Sequence, residues 1–229
     1  MSDSEPVTSQ DLVRWSEALA GIARTGLGFT ESLYERERFE EVLAVAADMR
    51  VAAGSTYDTE DLVAEWMKSV GHGVPGYQTP KVAVGAVVGN DKGEILLVQR
   101  SDSGVWLYPT GWADIGYSAS EVAVKEVEEE TGIECEVVQL IAVLDGLRQR
   151  FTRIPLYSLV FHCRATGGEL KAHPLETDDV GWFSLDDLPP MTVGVDQWGE
   201  FARAALAGEA VDVHYDRPRS PTWRGMHDV

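Results

Sequence analysis

Gly111-Trp-Ala-Asp-Ile-Gly-Tyr-Ser-Ala-Ser-Glu-Val-Ala-Val-Lys-Glu-Val-Glu-Glu-Glu-Thr-Gly-Ile133 is the stretch on which the reading of this chain turns. Ser118 followed three residues later by Glu121 is a capping-box signature, and Gly132 supplies a stop. The spacing therefore predicts a helix over 118–131 that is bounded at both ends by its own sequence. At about 100° per residue, Glu126, Glu129 and Glu130 share an arc of about 100°, while Glu128 points to the far side. Val124 and Val127, with Ala123 at the edge, form an apolar side expected to pack on a sheet. An acidic run of this kind is ordinarily a solvated face, because an exposed like-charge pair costs only about 0.2–0.5 kcal/mol. In a cleft the balance changes, since unit charges about 4 Å apart repel by about 4 kcal/mol at an effective dielectric near 20. A divalent cation offsets that repulsion, and carboxylate oxygens suit Mg2+ or Mn2+.

Working outward, Val82–Val88 is a short apolar run, Asn90-Asp-Lys-Gly93 is turn chemistry, and the apolar run resumes at Ile95–Val98, which together predict a hairpin. Strands are expected near 136–147, 155–165 and 179–184, and a short helix near 196–207. This is a mixed α/β domain, assigned to residues 81–213. Residues 1–76 read instead as a small all-α domain. Leu12, Trp15, Leu19 and Ile22 recur at helical spacing after the candidate caps Ser9 and Asp11; Phe39, Leu43, Ala46 and Met49 repeat the pattern; Leu62, Trp66 and Val70 mark a third helix. Ser32 with Glu35 is a capping box for the second helix and Gly71 a stop for the third. So small a bundle is better buried against another surface, which points to a homodimer. The Gly- and Pro-rich stretch 71–80 is the linker, ending at 77–80, and residues 214–229 read as a polar tail.

With the carboxylates in register, the quoted segment resembles the Nudix box: G, five residues, E, seven residues, R-E, an aliphatic, any residue, E-E, any residue, G, an aliphatic. Lys125-Glu126-Val127-Glu128-Glu129-Glu130-Thr131-Gly132-Ile133 fits every constrained position but the first, and Gly111 falls where the initial glycine belongs. Two positions depart from the pattern. Tyr117 stands in place of the first Glu, with Glu121 four positions too late to replace it, and Lys125 replaces the Arg, keeping the charge but losing the planar fork. The helical segment around Tyr34-Glu-Arg-Glu-Arg-Phe-Glu40 also looks like the extension that precedes some bacterial Nudix hydrolases of nucleoside-diphosphate derivatives.

The resemblance implies a Nudix fold, a mixed sheet sandwiched by helices, over roughly residues 80–210. It implies that Glu126, Glu129 and Glu130, with the carbonyl of Gly111, hold Mg2+ and through it a substrate diphosphate, with Lys125 orienting the box carboxylates. The general base would be Glu126, or an acid of the later cluster Glu176, Asp178 and Asp179, which reads equally well as a solvated turn. The expected substrate is a small-molecule nucleoside diphosphate derivative of the ADP-ribose, CDP-choline or UDP-sugar type. The competing readings are a non-catalytic Nudix-fold nucleotide-sugar sensor or interaction module, and a purely structural acidic domain. Trp106, Tyr108 and Trp112 are candidates to stack on a base, though core or rim packing is their commoner use. Arg100, Arg148, Arg150 and Arg153 are candidates for phosphate contacts, whereas His162 and Cys163 read as core.

Composition sets outer bounds. The 229 residues carry 38 Asp+Glu against 19 Lys+Arg, a formal net charge of −19, which argues against a nucleic-acid polymer or an anionic membrane as partner. Residues 111–133 hold six acids and one base, so the box is denser in negative charge than the chain around it. No apolar run approaches the roughly 18 residues of a membrane span, and the acidic, polar start is unlike a signal peptide, so a cytoplasmic location is expected. Cys135 and Cys163 lie far apart without a metal-ligand spacing, arguing against a structural zinc or a disulfide framework.

Overall fold

The computed structural model describes residues 6–70, 79–114, 116–149, 152, 154–209 and 211–217. Two compact units divide the chain, one within Met1–Thr79 and the other spanning Pro80–Arg217. The expected stop at Gly71, most of the linker, Arg150, Arg153 and tail residues 218–229 lie outside the described residues.

The first unit contains α1 (Ser9–Phe29), α2 (Leu33–Ala52) and α3 (Thr59–Met67). Thr8, rather than Ser9, caps α1: its hydroxyl accepts from the Asp11 N–H while the Asp11 carboxylate accepts from the Thr8 N–H, leaving Ser9 as the first helical residue. Ser32 caps α2, accepting from the Glu35 N–H, but the expected box is not completed: the Ser32 N–H donates to the Thr30 hydroxyl, which in turn donates to the Glu35 carboxylate. The core is built of Ala20, Ala23, Leu27, Leu43, Ala46, Ala47 and Trp66. The α1 stripe is thus rotated from the expected one, and Ile22 is 61 % exposed. Small residues carry the contact because they let the helices approach closely; a Cβ at Gly26 would overlap the Phe39 ring. Within this interface Glu17 pairs with Arg50 and lies 4.0 Å from Arg24, and the Ser16 hydroxyl donates to the Ala46 carbonyl at 2.7 Å. Val70 falls beyond the end of α3 and packs against the core from the following turn.

The second unit is built on one mixed sheet. In chain order its elements are β1 (Lys81–Gly89), β2 (Ile95–Arg100), β3 (Trp106–Leu107), β4 (Thr110–Trp112), α4 (Ala119–Thr131), β5 (Ile133–Asp145), β6 (Leu156–Gly168), β7 (Thr177–Phe183), α5 (Val195–Leu206) and β8 (His214–Tyr215). Strand order is β3-β2-β1-β6-β5-β8, with β4 pairing β1 and β7 pairing β2. β1 and β6 run parallel, whereas β5 and β6 are antiparallel with three register shifts. Continuous apolar runs in β1 and β2 follow from burial on both faces. Val84, Ala86, Val88 and Leu96 pack beneath α4, while Val87, Ile95 and Leu97 pack beneath α5. At the expected hairpin, the Asn90 side chain accepts from the Lys92 and Glu94 N–H groups and Gly93 takes a positive φ of 74°.

Three short strands had no sequence expectation. β3 and β4 are too short for periodicity to register, and β8 falls within the expected tail. His214 and Tyr215 align with Ala142 and Val143, and Asp216 accepts from the Asp145 N–H at 2.7 Å. The start of the tail is therefore strand, held by backbone pairing that its polar side chains do not reveal. Cys135 and Cys163, remote in sequence, lie on adjacent strands with their thiols in hydrogen-bond contact, both free. Among the described residues no helix is long and apolar enough to cross a membrane.

Candidate active site

The site is organised by α4. Ser118 and Glu121 form the reciprocal capping box, and Gly132 ends the helix in the left-handed region at φ 71°. Val122, Ala123 and Val127 are buried against the sheet, whereas Val124, expected on that face, is only half-buried. This anchoring fixes where the glutamates stand.

Glu126 and Glu130 face β4. A Cβ at Gly111 would overlap the Glu126 carboxylate, so only glycine leaves room for that side chain beside the strand. One residue earlier, the Thr110 N–H donates to Glu130 Oε2 at 3.0 Å. Glu130 is buried, 4 % exposed, and burial pushes its carboxyl up to about 8; the Thr110 N–H opposes the shift, and the Glu126 charge adds to it. Glu126 is likewise raised, first by burial, against the pull of Lys125, with Glu129 and Glu176 adding repulsion.

Glu129 has a different environment. It is exposed on the other edge of the acidic arc, where Lys125 Nζ lies 2.7 Å from its Oε2 and 3.2 Å from Asp114 Oδ2. Hydrogen bonds to Glu129 and then Asp114 raise the Lys125 ammonium above its ordinary value. An open groove of about 800 Å3 runs along this solvent side of α4, lined by Tyr117, Val124, Lys125, Glu129 and Val137 among others, and neither Glu126 nor Glu130 lines it.

The later acidic cluster separates in space. The charge of Glu176 raises both Glu126 and Glu130, and its carbonyl accepts from the Ser101 N–H at 3.0 Å. Asp179 instead accepts from the Val180 N–H, and Asp178 is exposed. Arg100, at the end of β2, grips Asp102 with two hydrogen bonds of 3.0 and 2.8 Å, and its charge also lowers Glu130. Of the aromatic candidates, Trp106 and Tyr108 are buried core, edge-on to Phe183 and Trp198 respectively. Trp112 is 48 % exposed with the Lys81 ammonium 5.2 Å from its ring centroid. Arg148 reaches Asp216 and the Arg217 carbonyl. His162 is half-buried and Cys163 fully buried.

Among the described residues no group of three or more His, Cys, Asp or Glu side chains is placed to hold a metal ion. The donor set nevertheless fits Mg2+, which keeps several waters and is commonly held by one or two carboxylates together with substrate phosphates. Half-buried Glu126, beside the Gly111 backbone, and buried Glu130 repel one another and offer hard oxygen donors whose charge a dication offsets. Two contributors escaped the sequence reading. Thr110 acts through its backbone N–H, which carries no side-chain signal, and Asp114 occupies an unconstrained position of the box.

Comparison with known proteins follows the same division. The NUDIX domain family model matches residues 79–202, and the model described as the UDP-X-like, N-terminal oligomerisation domain matches residues 10–64. The Bacillus subtilis protein named Putative ADP-ribose pyrophosphatase YjhB is 34 % identical over 179 residues, covering 77 % of this chain and 82 % of its own length. NAD-capped RNA hydrolase NudC of Pseudomonas entomophila is 34 % identical over 118 residues, and the match spans 41 % of that protein. Among solved structures, a UDP-X diphosphatase matches with a TM-score of 0.54 and 30 % identity, covering 92 % of this chain and all of the other. An ADP-ribose pyrophosphatase of Streptococcus suis gives 0.52 and 34 %, covering 60 % of this chain and all of that one. Sheet topology, the placement of the box on α4 and these matches agree that the chain belongs to the Nudix family, with its NUDIX domain preceded by a UDP-X-like N-terminal helical domain.

Proposed function

We propose that the chain is a Mg2+-dependent pyrophosphohydrolase, with Mn2+ able to substitute, that cleaves the diphosphate of a nucleoside diphosphate linked to a second moiety. The names of the relatives favour ADP-ribose and UDP-linked compounds within that class, with CDP-choline as a further candidate. The observation that carries the reading is the junction of β4 and α4, where Gly111 makes room for the Glu126 carboxylate and the Thr110 N–H holds buried Glu130 beside it.

Glu126, Glu130 and Glu129, with the Gly111 carbonyl, would hold the metal, and Lys125 would keep Glu129 in place. When bound, Mg2+ supplies charge neutralisation for the diphosphate and lowers the pKa of a bound water. The chain's own part is to keep Glu126 and Glu130 together, at an electrostatic cost that an incoming dication relieves. Glu126 and Glu176 are the candidates to accept the proton of the attacking water. Glu176 is the loop acid favoured over Asp178 and Asp179, because its charge acts on both Glu126 and Glu130. Arg100, close enough to act on Glu130, is the cation best placed to meet an anionic substrate near the carboxylates. The homodimer belongs to this proposal, supported by the match of residues 10–64 to an oligomerisation domain and by exposed Ile22, Phe29, Leu33 and Tyr34. A cytoplasmic setting fits the same small-molecule role.

The test is release of nucleoside monophosphate from ADP-ribose, UDP-sugars and CDP-choline, with and without Mg2+. Turnover abolished by EDTA and by Glu130→Gln is expected. Binding of these compounds with no turnover under any metal would favour the sensor reading instead.

A further inference from the structure

The box of this chain lacks its first carboxylate, with Tyr117 in that place, and has Lys125 where an arginine is usual. A lysine is a point charge on a flexible stem and holds one partner less firmly than a guanidinium fork. Left alone, Lys125 would have only Glu129, one helical turn on, to fix its position. The structure supplies another anchor. Asp114, on the segment between β4 and α4, places Oδ2 3.2 Å from Lys125 Nζ, and Lys125 in turn holds Glu129 Oε2 at 2.7 Å. The backbone is arranged for it: the Tyr117 N–H approaches the Asp114 carbonyl at 3.4 Å, and the Ala113 N–H donates to the Val82 carbonyl at 3.0 Å, which ties this segment to β1. Tyr117 itself is 55 % exposed and lines the outer groove with Lys125 and Glu129.

We propose that Asp114 replaces the missing box carboxylate: through Lys125 it positions Glu129, and the chain Asp114–Lys125–Glu129 sets how strongly the acidic face of α4 holds a divalent cation. Asp114 and Lys125 are positioning residues, and the proposal rests on the metal reading above. It makes a prediction whose sign separates it from plain electrostatics. Removing the Lys125 charge should strengthen cation binding if the ammonium merely repels the cation. If Lys125 positions Glu129, the same change weakens binding.

The experiment is Mn2+ binding to the full chain, followed by electron paramagnetic resonance of free Mn2+ and by calorimetry, without substrate. Partly exposed ion pairs of this kind are worth about 0.2–1 kcal/mol, so Asp114→Asn should raise the Kd by about 1.5- to 5-fold. Lys125→Met should raise it at least as much, and the double variant should be no weaker than Lys125→Met alone. Glu128→Gln, which removes one exposed charge from the far side of α4, controls for net charge and should change the Kd less than Asp114→Asn. Restoring a carboxylate at its usual place, Tyr117→Glu in the Asp114→Asn background, should recover binding, whereas Tyr117→Gln should not. Tighter binding by Lys125→Met, equal effects of Asp114→Asn and Glu128→Gln, or failure of Tyr117→Glu to rescue would each overturn the proposal. Absence of Mn2+ binding by the unaltered chain would overturn the metal reading itself and this proposal with it.

Discussion

Gly111→Ala separates what the β4–α4 junction does for stability from what it does for chemistry. Gly111 is not among the positive-φ glycines, so its backbone accepts an alanine without strain. The three atoms nearest the new methyl would all belong to Glu126, its Cδ, Oε1 and Oε2, the free end of a flexible side chain. Relief therefore comes from rotating Glu126 away from the strand. An off-rotamer side chain costs about 0.5–1.5 kcal/mol, which corresponds to roughly 1–6 °C in Tm for a chain of this size. Function should suffer more. Displacing a catalytic group by about 1 Å costs about 100-fold, equivalent to about 2.7 kcal/mol of barrier. Gly85→Ala is the matched control, because its methyl would meet the buried Tyr108 ring, which has nowhere to go. There an overpacking cost of about 1–3 kcal/mol should appear in the melting curve while kcat/KM per folded molecule is retained. The assay is Mg2+-dependent nucleotide release from ADP-ribose, with thermal melts on the same samples. Gly111→Ala within about threefold of the unaltered rate, or a fall in its Tm beyond about 10 °C, would refute the assignment of Gly111 to the site, by the same scale of effects.

Other outcomes follow from the same structure. Glu130→Gln keeps an acceptor for the Thr110 N–H while removing a buried carboxylate, so its Tm without metal should equal or exceed that of the unaltered chain, with activity down at least about 100-fold; a markedly lower Tm would contradict the burial argument. Mg2+ at about 100 times its Kd should stabilise the chain by about 2.7 kcal/mol, roughly 5–10 °C, reversed by EDTA and absent in Glu130→Gln; a Tm indifferent to Mg2+ would count against the metal site. In the helical unit, Arg50→Met leaves Glu17 buried without its main partner and should cost about 3–5 kcal/mol, part of it recovered by adding Glu17→Met; urea unfolding that shows no recovery would exclude uncompensated charge as the cause. Ile22→Glu, at an exposed apolar position, should leave the melt of the monomer unchanged and lower the mass seen in light scattering; an unchanged mass would place the dimer contact elsewhere.

The sequence by itself determined what is local. Ser118, Glu121 and Gly132 bound α4 because capping and left-handed stops are satisfied within a few residues. Angular spacing placed three glutamates on one arc, and the apolar runs of β1 and β2 announced strands buried on both faces. Periodicity could not say which part of the arc is dry. Tertiary structure decided that Glu130 is buried beside Thr110 while Glu129 stays exposed with Lys125, because burial depends on what lies across from the helix. It likewise set Glu176, of three neighbouring acids, where its charge acts on Glu126 and Glu130, sent Trp106 and Tyr108 into the core and left Trp112 outside, and brought Asp114, at an unconstrained position of the box, to Lys125. The pairing of β8 with β5 and the meeting of Cys135 with Cys163 were hidden for the same reason. Each rests on strand register between segments distant in the chain. Local sequence fixes a residue's direction from its own backbone, and only the assembled sheet fixes what it meets there.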